Sequence, residues 1–191
     1  MDLLRSPQMR SIFFIGVLLA GAWDLFIFVM PLHGSKLGFS ASTIGLILGT
    51  FSIATFAVRL GMPVIARHFS EWQILTGALM LSVLCYLLFP FMNQPVTIMM
   101  VAAALGIALG TTQPNLLALL HRTAPPGRGG EAIGIRATMG NASQVFLPIA
   151  FGAAGAALGI VVVFWGIAAM IGVGVPIAWK KANPSKGEQN G

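Results

Sequence analysis

The chain has 191 residues, 57% hydrophobic and only 8% charged, where a soluble domain carries about 25% charged residues. With a mean hydropathy of +0.87, this composition excludes an ordinary soluble protein, which could not cover its surface with so little charge, and a disordered one, which needs low hydrophobicity and high charge. Eleven Lys and Arg against five Asp and Glu leave a net charge of +6. The basic residues stand between apolar runs, not in a stripe with aromatics, so a membrane and not nucleic acid accounts for them.

A bilayer core about 30 Å thick is crossed by about 20 apolar helical residues. Six stretches have that character: 12–31, 42–65, 73–91, 96–120, 132–157 and 160–179. The first follows Arg5 and Arg10, and Ala20-Gly21-Ala22 loosely fits a signal cleavage site. Its apolar run continues to Met30, so an uncleaved span is expected. It should end in a break at Pro31-Leu32-His33-Gly34-Ser35-Lys36. Further breaks are expected at Asn93-Gln94-Pro95, at residues 124–130 with their Pro-Pro-Gly, and, more weakly, around Gly155 to Gly159. A single helix from 132 to 179 would far exceed the membrane, which requires this last break. No run alternates polar and apolar as a membrane barrel strand does. Backbone groups in lipid must be satisfied within their own segment, so the runs are read as helices. The chain is therefore an all-α integral membrane protein with a segment at 1–11, a six-helix domain at 12–179 and a polar tail at 180–191.

Threading six spans places Arg5, Arg10, Arg67, Arg122, Arg128, Lys180, Lys181 and Lys186 on one side and Lys36 alone on the other. The basic side is expected to be cytoplasmic, with both termini there. Arg59 and Arg136 fall inside spans near that side, where they should snorkel or pair, Arg136 with Glu131 for instance. Three spans are an odd number, so the first and fourth run in opposite directions, as in a 3+3 inverted repeat.

Asp24 is the only acid deep in a span. A carboxylate there must be protonated, paired or facing water, so it reads either as a proton-coupling or solute-contacting group or as an acid near the outer mouth bonded to a neighbour. In the fifth span, Arg136, Asn141, Ser143 and Gln144 cover less than half the circumference at 100° per residue. That arc either lines a path or bonds helix to helix. In the fourth, Thr111, Thr112 and Asn115 share an arc from which Gln113 points away, and Pro114 removes a backbone donor. A kink at Gln113 and Pro114 would leave carbonyls free inside the bundle, unless it is a packed kink with hydroxyls bonded to their own helix. Pro148 is a second candidate kink. Gly45 with Gly49, Gly106 with Gly110 and Gly155 with Gly159 have the spacing that lets helices approach closely. Trp179 reads as an interfacial anchor.

His33, His68 and His121 lie at separate helix ends without zinc spacing. The lone Cys85 excludes a disulfide framework or multi-cysteine metal site. There is no phosphate-binding loop and no nucleophile elbow, so neither an enzyme nor a cofactor is expected. Asn141-Ala142-Ser143 matches a glycosylation sequon, but inside a helix it is unreachable.

Residues 58–69, Val-Arg-Leu-Gly-Met-Pro-Val-Ile-Ala-Arg-His-Phe, resemble the signature loop of the major facilitator superfamily, in the version found in the C-terminal half of those transporters. Arg67 matches the Arg of the family's Asp-Arg pair, while Ala66 replaces the Asp and Ser70 the following Gly. A longer stretch is similar to helices 10 and 11 of the same superfamily. It takes in Gly106, Gly110, Gln113-Pro114, Arg128-Gly129-Gly130-Glu131-Ala132, Gly134, Arg136, Pro148 and Gly152. The resemblance implies half of a twelve-helix transporter in a bacterial inner membrane, with residues 1–7 looking like the central linker and a truncated gene as one origin. It implies a small-molecule solute, a second six-helix half as separate chain or second copy, and no nucleic acid. It implies a cavity-facing first helix but no role for Asp24. Asp24, Asn115, Asn141 and Gln144 are the expected solute or proton pathway. Arg59, Arg67, Arg128, Glu131 and Arg136 are the expected cytoplasmic loop and gating group. The rival reading is a structural or assembly membrane protein that does not transport.

Overall fold

In the computed structural model, which describes residues 6–183, six helical spans are long and apolar enough to cross a membrane. The first is α1 (Pro7–Lys36) and the second α2 (Ala41–His68). The third is α3 (Glu71–Leu88) with a 3₁₀ turn at Phe89–Phe91. The fourth is α4 (Pro95–Gly110) with α5 (Thr112–Thr123), the fifth α6 (Gly129–Leu158), and the sixth α7 (Ile160–Gly172) with α8 (Gly174–Ala182). No strand occurs among the described residues. The tail beyond Asn183, with Lys186, and the segment before Ser6, with Arg5, lie outside the described residues.

The expected break at Pro31 is not a break. α1 runs through Pro31 to Lys36 because tertiary packing holds its last turn: His33 and Gly34 are buried, and a Cβ on Gly34 would sit 2.8 Å from Ile44 of α2. The stop is Gly38, at φ +75, a backbone conformation open to glycine. The amide of Phe39 donates to Gly34 O at 2.9 Å and that of Gly38 to Ser35 O at 3.1 Å, which completes a Schellman cap. At about 45 Å, from 30 residues at about 1.5 Å each, α1 is longer than the bilayer core of about 30 Å.

The other ends are also set by caps. Ser40 accepts from the Thr43 amide at 3.2 Å. The turn between α2 and α3 shrinks to Phe69 and Ser70, because Ser70 and Gln73 form a reciprocal capping box that starts α3 at once. Helix therefore continues past residue 65, the expected end of the second span, to His68. Gly159, at φ +91, narrows the weak break at 155–159 to one residue. The fourth span breaks at Thr111, three residues before Pro114; the sixth breaks at Val173, without an expectation from sequence. Pro148 is held within a continuous α6 and makes no break there.

The first span packs on the fifth, the second on the fourth, and the third on the sixth. Exchanging one with four, two with five and three with six maps these pairings onto themselves, which is the symmetry of a 3+3 inverted repeat. The tightest pair is α2 with α4. A Cβ on Gly106 would lie 2.4 Å from Phe51 O, and one on Gly110 3.0 Å from Thr55 O, so glycine alone permits this approach. Thr55 Oγ1 donates to Gly106 O at 3.1 Å across the contact. Of the three glycine pairs, this is the one that seats one span on another: Gly45 and Gly49 face open space, and Gly155 meets Val163 across the turn at Gly159.

Rings from four spans fill the core beyond Trp23. Phe26, Phe51, Phe89 and Phe164 stack or tilt at 4.5 to 5.7 Å, and the Tyr86 hydroxyl donates to Ala22 O. α2 and α6 leave most of their surface uncovered, with Ile53, Phe56, Phe146 and Ile149 among their exposed apolar residues. Trp179 is exposed near the end of the last span, as an interfacial anchor would be.

Candidate functional site

The polar side chains converge on the face made by spans one, two, four and five. There Asp24 and Trp23 of α1, Arg59 of α2, Gln113 of α5, and Arg136 and Gln144 of α6 line a cavity of about 280 Å³. Pro114 explains one wall. It has no amide hydrogen, so Gly110 O loses its helical partner; Arg59 Nε donates to that oxygen at 3.4 Å. The guanidinium also lies 5.9 Å over the Trp23 ring, which meets Phe51 edge-on at 4.7 Å. The remaining polar groups of the break bond to their own chain: Thr111 to Ala108 O at 2.8 Å, Thr112 to Leu109 O at 2.7 Å, and Asn115 to Thr111 O at 2.6 Å.

Two hydrogen bonds tie the remaining walls together. Gln144 Nε2 donates to Asp24 Oδ1 at 3.2 Å, joining α6 to α1. Arg136 donates through one terminal nitrogen to Gln113 Oε1 at 2.8 Å, joining α6 to α5. Asp24 Oδ2 and Arg136 Nε are buried without a hydrogen-bond partner among the described residues. Arg136 Nε lies beside Gly16, 3.9 Å from where a Cβ there would stand, an ordinary contact distance. Of the two outcomes expected for Arg59 and Arg136, each finds a partner: Arg59, which stays exposed, reaches the carbonyl left by Pro114, and Arg136 reaches Gln113. Glu131 does not pair with Arg136. It forms a two-bond ion pair with Arg128, at 2.8 and 2.9 Å, at the start of α6.

Of the four residues expected on a pathway, Asp24 and Gln144 meet in the cavity and two do not. Asn115 is buried on the opposite side of α5, lining a separate hollow of about 500 Å³ with Glu71 and Arg122, which are ion-paired at 2.9 Å. Asn141 is exposed on α6 and does not line the cavity, while its neighbour Ser143 is buried and bonds to Gly140 O at 2.7 Å. Gln113, read from sequence as part of the kink, belongs to the cavity. Its direction away from Asn115 was legible in the sequence; that this side holds the cavity, which Thr112 also lines, was not. Arg67 is exposed, one residue before the end of α2.

A sequence model of the family described as Major Facilitator Superfamily matches residues 12–191. The chain belongs to the major facilitator superfamily. No curated protein matches it in sequence. This superfamily is one of membrane transporters, and the chain is an integral membrane member of it. Within this superfamily chain, Ser70, in place of the signature glycine, caps α3, and Ala66, in place of the signature Asp, borders the hollow beside Asn115. No group of three or more His, Cys, Asp or Glu with metal-binding geometry occurs among the described residues.

Proposed function

We propose that the chain is one half of a secondary active transporter that moves a small polar solute by alternating access, with the cavity at Asp24, Arg59, Gln113, Arg136 and Gln144 as its wall of the solute site. The observation that carries this reading is the convergence of these five polar side chains, from four spans, on one face of the apolar bundle. Unsatisfied polar groups in hydrocarbon cost several kcal/mol each, and water or a solute lowers that cost. Reconstitution together with a second six-helix unit of the family tests it. A pH gradient is expected to drive accumulation of at least one solute from a panel of amino acids, organic acids and sugars; neither accumulation nor exchange of any of them overturns the reading.

The cavity is open on the face that α2 and α6 flank, and these are the two least covered helices. A second six-helix unit, a separate chain or another copy, closes it in this proposal, since sites of this kind lie at repeat interfaces near the midplane. The purified chain is expected to be oligomeric or unstable in mild detergent and to transport nothing as a single copy. A stable monomer that accumulates a solute in liposomes contradicts this.

We place both termini in the cytoplasm of a bacterial inner membrane, from the excess of basic residues on that side. In a Cys85→Ser background, Lys36→Cys is expected to react with an impermeant thiol reagent added to intact cells, and Lys186→Cys only after lysis. The reverse pattern inverts the topology.

A further inference from the structure

The face of α1 turned away from the cavity carries two hollows, one at each end of the span. Taking Gly16 as zero at about 100° per residue, Gly16, Ala20 and Trp23 of the cavity fall between about −20° and 40°. Arg10, Phe14, Phe28, Leu32 and Lys36 fall between about 120° and 200° on the same count. At the start of α1, Arg10, Phe13 and Phe14 line a hollow of about 520 Å³ with Met139 of α6 and Ile177 of α8. At its end, Phe28, Leu32 and Lys36 line one of about 200 Å³ with Phe151 and Gly152 of α6 and Val163 of α7. Between the two, α6 and α7 close over Gly21, where a Cβ would overlap Leu147 and stand 3.6 Å from Met170.

Each hollow has a single charged residue, Arg10 in one and Lys36 in the other. Both are exposed, and neither has an ion pair among the described residues. The described acids are engaged elsewhere: Glu71 with Arg122, Glu131 with Arg128, and Asp24 in its hydrogen bond from Gln144. Arg10 and Lys36 are 26 residues apart, about 39 Å along the helix. A bilayer measures about 40–45 Å across its headgroups and about 30 Å across its hydrocarbon. The spacing therefore sets one cation at the phosphate level of each leaflet, with apolar walls reaching from it into the hydrocarbon.

We propose that this seam of spans one, five and six seats one anionic phospholipid in each leaflet, its phosphate on Arg10 or Lys36 and an acyl chain in the hollow beneath. Charge at the membrane surface above apolar walls is the order of groups in a lipid standing in its leaflet, and basic sites between spans hold anionic headgroups. A zwitterionic lipid brings its own cation to the same place and gains less. The seam lies on the side of α1 away from the cavity, so the proposal depends neither on transport nor on the second six-helix unit.

The test is native mass spectrometry of the full chain released from mixed micelles that hold equal amounts of phosphatidylglycerol and phosphatidylcholine with the same acyl chains. Two phosphatidylglycerol molecules are expected to stay on each chain. Each site is expected to favour that lipid over phosphatidylcholine by at least about fivefold, the ratio for about 1 kcal/mol per surface cation. Arg10→Gln and Lys36→Gln are each expected to leave one, and the double variant none above the phosphatidylcholine level. Arg10→Lys and Lys36→Arg keep the charge and are expected to keep both lipids. Lys180→Gln, which removes a cation outside both hollows, is also expected to keep both. Glycerophosphoglycerol, the headgroup without its chains, is expected not to displace them. Equal retention of the two lipids overturns the proposal, as does undiminished retention in Arg10→Gln or Lys36→Gln. An equal loss in Lys180→Gln means diffuse attraction to a basic surface, and displacement by the free headgroup means a site for soluble anions; either overturns it. So does a dimer that carries no lipid, since a second copy then fills the seam.

Discussion

Asp24→Asn, in the chain combined with its second six-helix unit, is expected to abolish proton-driven accumulation while solute exchange remains measurable. The amide keeps the size of the carboxyl group, and its oxygen can still accept the Gln144 hydrogen bond that joins α6 to α1. What it cannot do is take up and release a proton in this range of pH. Under a gradient of one pH unit, one coupled proton supplies about 1.36 kcal/mol, enough for about tenfold accumulation of a solute that carries no net charge with it. The variant is expected to fall to equal concentrations on the two sides. Exchange moves solute against solute, needs no net proton movement and tests that the protein is folded. Undiminished uphill accumulation would remove Asp24 from the coupling role. Loss of both accumulation and exchange would instead assign it to solute binding or to the bundle.

The second large effect concerns the fold. Gly106→Ala is expected to destabilise the protein by about 1–3 kcal/mol, the usual cost of overpacking. The new Cβ meets Phe51 O at 2.4 Å and the Ala54 Cβ at 3.1 Å. The first of these is backbone, so no rotamer change relieves it and α2 must move away from α4. That movement also stretches the Thr55 bond to Gly106 O, worth about 0.6 kcal/mol in a membrane protein. Gly45→Ala is the matched control, since nothing lies within 4 Å of its added carbon. Alanine favours helix by about 1 kcal/mol over glycine, so this variant should be neutral or slightly stabilised. Unfolding in mixed detergent micelles measures both. Equal stability of the two variants would mean that α2 and α4 do not meet as described.

The separation of these two glycines shows where one-dimensional reading stops. Both belong to pairs spaced four apart, and the spacing is equally visible in each; which pair touches a neighbouring span depends on how each helix is rotated in the bundle. The six spans, their helical character, the break around Gly159 and the 3+3 order were legible from the apolar runs and turn residues, because the bilayer imposes length and internal hydrogen bonding on any segment that crosses it. Asp24 and Gln144 were legible as candidates because polar groups stand out against hydrocarbon.

Tertiary structure decided the rest. Pro31 reads as a stop, yet α1 passes through it, since packing of His33 and Gly34 outweighs a local preference and Gly38 supplies a cap that ends the helix later. Arg59 and Arg136 read as residues that snorkel or pair, because their positions near span ends are visible and their partners are not. Arg59 pairs with an oxygen 51 residues away that Pro114 had freed, and Arg136 with a glutamine 23 residues away. Asn115 and Gln113, two residues apart, face opposite sides of one helix, and the chain alone does not say which side is the cavity. Composition and periodicity determined that this protein is a helical membrane bundle, because hydrocarbon acts on each segment separately. Helix rotation and long-range hydrogen bonding determined which polar residues share a cavity, because those depend on neighbours that only the folded bundle brings into reach.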